Sequence, residues 1–374
     1  MPFELTSQDR VRAYVNNHTD FDAADDPIEP LKGGHLNYAW RVRLSNPYGC
    51  QKSIILKYAH SSAAKVRSKL TVKRLQYEYL ALKAISGSSL CDGNTLIGVP
   101  TVIHYDQNSN ILITQDLGTL PTLHDYFCNQ SCPPSNIVTL VATKLAEFIA
   151  NLHSWGKCND TLRLVLPPVQ EIVEPPIINV LTPTAAKSGI VDPLLEQTTE
   201  MFRTESLTSD ETLIMGDFWL GNVLIDIEDG PTGIEVVKKL WVIDWEFCRY
   251  GNPAEDIVDF AGDCFFLSRF KNPTMGECLR HHYLETYARL ATARVDPFRV
   301  VVGMGAYWIS WAETVGWGDE KEVREYAEIG LEYLRRGKDR SEDWLTTSWA
   351  KELGRQARSM RSKARGMHAR PRVT

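Results

Sequence analysis

The sequence predicts an α+β chain in two lobes: a small β-sheet lobe carrying one main helix, then a larger, mostly helical one. Three observations predict it. Short runs with an apolar period of two flank a single helical segment before residue 117. Helical periodicity dominates from residue 136, and two strand-like runs interrupt it near residues 223 and 240. The reading divides the chain into lobes over residues 1–117 and 118–350 and a basic tail over 351–374.

Each element has its own signal. Gly33 and Gly34 form a turn before Trp40, Val42 and Leu44, which alternate with Arg41 and Arg43 as a half-buried strand does. The run SIILK, ending at Lys57, predicts a second strand, and residues 71–85 a helix with Val72, Leu75, Tyr79 and Leu82 on its buried stripe. Strands are expected over 99–105 and 111–115. A connector containing Gly118 and Pro121 leads to a long helix over 136–153 that buries Leu140, Leu145, Phe148 and Leu152. Residues 157–210 are rich in proline and lack a sustained period until their end, which predicts an insertion packed on the second lobe. Two strands over 223–227 and 240–243 bracket a turn, and helices follow over 254–267, 278–293, 298–315 and 321–335. From Lys351 onward eight basic residues face one acid, Glu352, as in a solvated or disordered end.

Composition narrows the function. At 374 residues, 43% hydrophobic and 24% charged, the chain has room for two domains sharing a cleft. A formal net charge of −6 argues against a nucleic-acid binder, which needs a basic surface. The eight cysteines are scattered, with Cys128 and Cys132 at a spacing that fits no usual zinc pattern, so reduced and mostly buried thiols are expected. The N-terminus carries charges before any apolar stretch, and no apolar run spans a membrane, which places the chain in the cytosol without a membrane partner.

The chemistry concentrates in IMGDFWLGN and WVIDWE. Asp217 precedes Asn222 by five residues, and Asp244 ends the next strand, the spacing of a base with two metal ligands in phosphoryl transfer. Asp217 would orient and deprotonate an acceptor hydroxyl, while Asn222 and Asp244 offer hard oxygen ligands suited to magnesium. In the first lobe, alternation puts Ile55 and Lys57 on the cleft side of their strand, opposite Ile54 and Leu56. Glu78 falls inside the buried stripe of the following helix, where a carboxylate needs a cation, and Lys57 is the natural one. Gly33 and Gly34 would let the backbone approach phosphates.

These residues resemble the aminoglycoside phosphotransferase and choline kinase superfamily, through GGHLNYAWRV, SIILKYA, Glu78, MGDFWLGNVLI and LWVIDWEFCRYG. Within its methylthioribose-kinase-like branch, SIILKYAH, YEYLALK, AAKSGIVDPLL, DWEFCRYG and GDCFFLSRF are similar to stretches of the fungal 4-hydroxytryptamine kinases of psilocybin biosynthesis. The resemblance covers most of the chain but not the basic tail. It implies a bilobal protein-kinase-like fold that uses ATP and magnesium, with Gly33, Gly34, Asn37, Ile55, Lys57, Glu78, Gln115 and Leu117 around the nucleotide. It also implies a small hydroxyl-bearing acceptor, a 4-hydroxytryptamine-type indole alkylamine, with 5-methylthioribose or another sugar or alcohol as the alternative. One departure stands out: Met215 occupies a position where superfamily members carry a histidine, which changes the support of the catalytic loop.

An indole ethylamine needs a flat apolar wall and an anion, and the second lobe offers Phe265, Phe266, Trp308, Trp311 and Trp317 with Glu246, Asp256, Asp259 and Asp263. Glu246, Trp308 and Trp311 are the substrate candidates, with Asp256 and Asp259 expected to support the catalytic loop. Two rivals are weaker. Nine residues between Asp244 and Ala254 leave no room for the activation segment of a protein kinase. A ligand-binding pseudokinase would be expected to lose some of Lys57, Glu78, Asp217, Asn222 and Asp244, all of which are present. Neither a P-loop nor a dinucleotide fingerprint occurs, and the chain reads as a monomer.

Overall fold

Helix α1 (Gln8–His18) buries Val11, Tyr14 and Val15, and the surface it covers is the outer face of an antiparallel sheet. The computed structural model describes residues 4–31, 37–60, 72–92, 95–129, 133–166, 176–230, 235–292, 295–316 and 318–355. After α1 come β1 (Glu29–Pro30), β2 (Tyr38–Tyr48), β3 (Gln51–Tyr58), α2 (Arg74–Ser86), β4 (Ile97–Gly98), β5 (Val102–Asp106) and β6 (Ile111–Gln115). Five of these strands form one sheet in the order β1-β2-β3-β6-β5, antiparallel throughout. Trp40, Val42, Ile54, Leu56, Ile111 and Ile113 pack under α1, as the period of two predicts.

The strand expected over 99–105 starts late, as β5 from Val102, and a separate short strand, β4, precedes it. Pro100 has no N–H for a ladder. Before it, β4 leaves the first sheet and pairs in parallel with a strand of the second part of the chain, Ile97 opposite Leu240; β5 rejoins the first sheet. Helix α2 also shifts one detail. Leu75, Glu78 and Leu82 are buried as expected, but Tyr77 takes the inner position and Tyr79 stacks on Tyr105 at the edge, ring centroids 4.4 Å apart.

The second part is mostly helical. It runs through α3 (Leu123–Asn129), α4 (Ser135–Lys157), α5 (Asp160–Val165), α6 (Pro176–Lys187), α7 (Pro193–Thr208), β7 (Thr212–Ile214), β8 (Val223–Asp229), β9 (Glu235–Val242) and β10 (Arg249–Gly251). It ends with α8 (Ala254–Phe270), α9 (Pro273–Leu290), α10 (Pro297–Val315), α11 (Glu320–Lys338) and α12 (Glu342–Leu345). Among the described residues, 157–210 hold three helices, and α6 and α7 pack on α10 and α11, as expected of an insertion on the second lobe. Pro193 is tolerated there because it opens α7, capped by Asp192, while Pro183 lies within α6. Leu140 is only partly buried in α4. The central helices α4, α8, α9 and α10 share one core, into which Phe218, Trp245 and Trp308 project.

The basic end departs from expectation at its start. Residues 351–355 are helical, and Glu352 is buried beside Arg280, 2.6 Å from its Nη1, so the chain stays packed to this point. The rest of the basic run, 356–374, lies outside the described residues, as do Gly33, Gly34 and Trp317. The seven described cysteines are unpaired, as expected, but only Cys248 and Cys264 are buried. Among the described residues no helix is long and apolar enough to cross a membrane.

Candidate active site

Strand alternation builds the first half of the site. Ile54 and Leu56 are sealed in the sheet core, so Ile55 and Lys57 face the side on which α2 lies. Lys57 Nζ sits 2.7 Å from Glu78 Oε1 and 2.6 Å from Asp244 Oδ1. Burial works against the ammonium, but the two carboxylates outweigh it and hold its pKa above the ordinary lysine range. Burial raises Glu78, and Lys57 pulls it back.

A hairpin supplies the second half. Val223 of β8 pairs with Val242 of β9, so Asn222 and Asp244 leave from the same end, and Ile243 donates its N–H to the Asn222 carbonyl at 3.0 Å. Asn222 Nδ2 donates to Asp217 Oδ2 at 2.7 Å and to the Asp217 carbonyl at 2.9 Å. Asp244 adopts φ 65°, a backbone region that favours glycine, and its carboxylate meets Lys57 at this turn. Asp217 is pushed up to about 7 by burial and then by Asp244, against the donors Asn222 and Trp219.

Helix α8 holds the loop that carries Asp217. Asp256, Asp259 and Asp263 lie on one helix face at spacings of three and four. Asp256 accepts the N–H groups of Met215 and Gly216 at 3.0 and 2.8 Å, Asp259 that of Phe218, and Asp263 that of Leu220 at 3.2 Å. Met215 is fully buried and brings only its backbone to this array. The imidazole partner of Asp256 comes instead from α4: His153 Nε2 lies 3.0 Å from Asp256 and Nδ1 lies 2.8 Å from the Tyr287 hydroxyl.

The donor set fits a hard divalent cation. Asn222 uses its amide nitrogen on Asp217, leaving Oδ1 as an acceptor, and Lys57 takes only Oδ1 of Asp244. A family model for phosphotransferase enzymes matches residues 27–293, a span that holds Lys57, Glu78, Asp217, Asn222 and Asp244. The chain belongs to the phosphotransferase enzyme family. It is a small-molecule kinase, moving a phosphoryl group from a nucleotide to a small molecule.

Relatives of this phosphotransferase include a 4-hydroxytryptamine kinase of Psilocybe cyanescens, 34% identical over 363 residues that cover 95% of this chain and 100% of that one. A 4-hydroxytryptamine kinase of Psilocybe cubensis is 32% identical over 338 residues, covering 88% and 93%. Among solved structures, the GDP complex of an aminoglycoside 2'-phosphotransferase-IIIa mutant shares the fold, with a TM-score of 0.50, 14% identity, and coverage of 89% of this chain and 98% of that one.

Within the phosphotransferase, the remaining candidates separate. Ile55, Gln115 and Leu117 are partly exposed at the β3–β6 side, with Gln115 paired opposite Ile54. Asn37 spends both polar ends of its side chain on protein partners, donating to Glu246 Oε2 at 2.7 Å and accepting from Arg74 at 2.9 Å. Glu246, expected at the substrate, is only 4% exposed and lies 3.0 Å from Arg74 Nε. Trp308, expected as a substrate wall, is 0% exposed and stacks on Phe265 at 3.9 Å, so it is a core residue. Trp311 is partly buried against the edge of Tyr307.

Three contributors went unread in the sequence. Trp219, partly exposed, donates to Asp217 and meets His124 edge-on at 6.2 Å. Asp116 accepts from Arg41 at 2.8 Å, Ser53 at 2.6 Å and the Gly118 N–H at 2.9 Å, fastening the connector to β2 and β3. Its signal was present, since an Asp-x-Gly turn faced an arginine on an alternating strand. Arg74 gave no signal, because an arginine in a helix first turn reads as solvated.

Proposed function

We propose that the chain transfers the terminal phosphoryl group of ATP directly to the hydroxyl of a 4-hydroxytryptamine-type indole alkylamine. The observation that carries the transfer chemistry is the Asp217–Asn222 contact beside the Lys57–Asp244 pair, which brings a base, two oxygen ligands and a phosphate-binding cation to one point. The acceptor reading rests on the two fungal kinase relatives at 34% and 32% identity.

Asn222 and Asp244 would hold magnesium, which when bound neutralises phosphate charge. Lys57, released in part from Asp244, binds the nucleotide phosphates while Glu78 keeps it in place. Asp217 accepts the hydroxyl proton as the oxygen attacks in line, with no phosphoenzyme. Ile55, Gln115 and Leu117 border the nucleotide. Residues 1–117 serve as the nucleotide lobe and the chain from 118 as the catalytic and substrate lobe, acting as a monomer in the cytosol.

Magnesium-dependent ATP consumption tests this with 4-hydroxytryptamine and its N-methylated relatives beside methylthioribose, choline and an aminoglycoside. Preferred turnover of the indoles is expected. Turnover of the sugar alone would overturn the acceptor, and no turnover with any of them would also overturn it and point to an acceptor outside this set.

A further inference from the structure

Helix α2 carries two charged residues four apart, Arg74 and Glu78, and both are buried, 1% and 2% exposed. A guanidinium and a carboxylate both resist removal from water unless partners are supplied. Both are tied to one short segment after β9, Arg74 directly and Glu78 through Lys57 of β3. Arg74 Nε lies 3.0 Å from Glu246 Oε2, and Glu78 reaches Asp244 through the shared Lys57 ammonium, at 2.7 and 2.6 Å. Asn37, one residue before β2, closes the first contact into a triangle by donating to the same Glu246 oxygen and accepting from the same Arg74 nitrogen.

The order of charge matters. Along α2 the sign runs positive then negative; it meets a negative Glu246 from the segment after β9 and the positive Lys57 from β3 of its own lobe. A rotation or one-turn slip of α2 would bring Glu78 toward Glu246 or Arg74 toward Lys57, opposing like charges at a buried site. The two contacts therefore admit one setting of the helix.

We propose that Arg74 is a positioning residue for phosphoryl transfer: it sets the rotation of α2, and with it the Lys57–Glu78 pair, against the Asp244–Glu246 segment, and ties the start of β2 to the same point through Asn37. It touches neither acceptor nor reacting atoms, so its loss falls on nucleotide binding and on kcat rather than on the acceptor. This inference rests on the kinase reading above.

The test compares Arg74→Met and Arg74→Lys with the unaltered protein, measuring magnesium-ATP affinity by calorimetry, KM for ATP and for the acceptor, and thermal stability. Arg74→Met is expected to weaken nucleotide affinity on the order of tenfold, with acceptor KM within about twofold. Arg74→Lys, which keeps the charge but not the second contact, recovers part of the loss. Wild-type nucleotide affinity in Arg74→Met, or an acceptor KM that rises as far as that for ATP, would overturn the proposal. Should Arg74→Met fail to fold, Asn37→Ala removes the third corner without stranding a charge. The same selective nucleotide defect there supports the proposal, and unaltered nucleotide affinity overturns it. Unaltered protein that binds no magnesium-ATP would overturn the kinase reading itself.

Discussion

Lys57 Nζ stands 2.6 Å from Asp244 Oδ1, so the cation expected at the phosphates is paired with a carboxylate expected at the metal. The same ammonium neutralises Glu78, which is 2% exposed. Removing it strands two carboxylates at once. Lys57→Met is expected to abolish turnover and to destabilise the fold by about 3 kcal/mol, the scale of breaking a buried pair. Adding Glu78→Gln should restore part of the stability and none of the activity. Urea denaturation of the single and double variants checks it, and additive losses would contradict the shared pairing.

Asp217 must be ionised to take a proton, and burial with the Asp244 charge pushes it up to about 7. Turnover at low magnesium should therefore rise with pH through about 7 and level off above it. Metal at Asn222 and Asp244 offsets the Asp244 charge and should move this acid limb down. Trp219→Phe deletes a donor to the ionised form and should move it up. Asp217→Asn should abolish turnover while magnesium-ATP still binds. A limb unmoved by magnesium and by Trp219→Phe would count against Asp217 as the base.

The contacts just used were unequally legible in the sequence. Lys57, Glu78, Asp217, Asn222 and Asp244 could be read because their signals are local: alternation along a strand, one carboxylate in an apolar stripe, and a fixed spacing before a hairpin. Trp308 and Glu246 could not, because their surroundings come from remote elements. Trp308 is enclosed by Phe265, Tyr333 and Trp349 from three other segments, and Glu246 by Asn37 and Arg74 from the first lobe. Prolines hid α6 and α7, since one at a helix start looks the same in sequence as one in a loop. The left-handed backbone of Asp244 leaves no trace in residue type at all.

Asp256 takes two backbone N–H groups and His153 in full burial, so it sets the path of the loop before Asp217. Asp256→Ala strands all three donors, each costing about 1–3 kcal/mol when buried without a partner. The expected outcome is a poorly folded protein. His153→Phe, which keeps the ring volume and leaves the backbone contacts in place, should fold but turn over on the order of tenfold more slowly, with KM for ATP little changed. Steady-state kinetics beside thermal melting checks this, and a normal kcat would confine His153 to a packing role.

Gly216 has φ 80°, and a Cβ there would lie 2.6 Å from the Phe247 carbonyl oxygen. Both features oppose a side chain at the residue before Asp217. Gly216→Ala should cost about 1–3 kcal/mol in stability and displace Asp217, lowering kcat more than it raises either KM. Kinetics at saturating ATP reads this, and wild-type kcat in the folded variant would contradict it.

Arg280 and Glu352, 1% and 2% exposed, join α9 to the helical residues that begin the basic end. Burial alone would raise Glu352, but Arg280 and His281 outweigh it and hold this carboxyl below the ordinary glutamate range. A depressed carboxylate binds its proton less tightly in the folded state than in the unfolded one. Its contribution is therefore fully present above the unfolded glutamate pKa and is lost as pH falls through the folded value. Glu352→Gln should destabilise the protein by about 3 kcal/mol near neutral pH, and the gap to the unaltered protein should narrow below about pH 4. Truncation after residue 350 removes the same partner and should reproduce the neutral-pH loss, whereas truncation after 355 should spare it. Urea melts of these proteins across pH decide the matter, and a gap that stayed constant with pH would show that Glu352 is held by packing rather than by its charge.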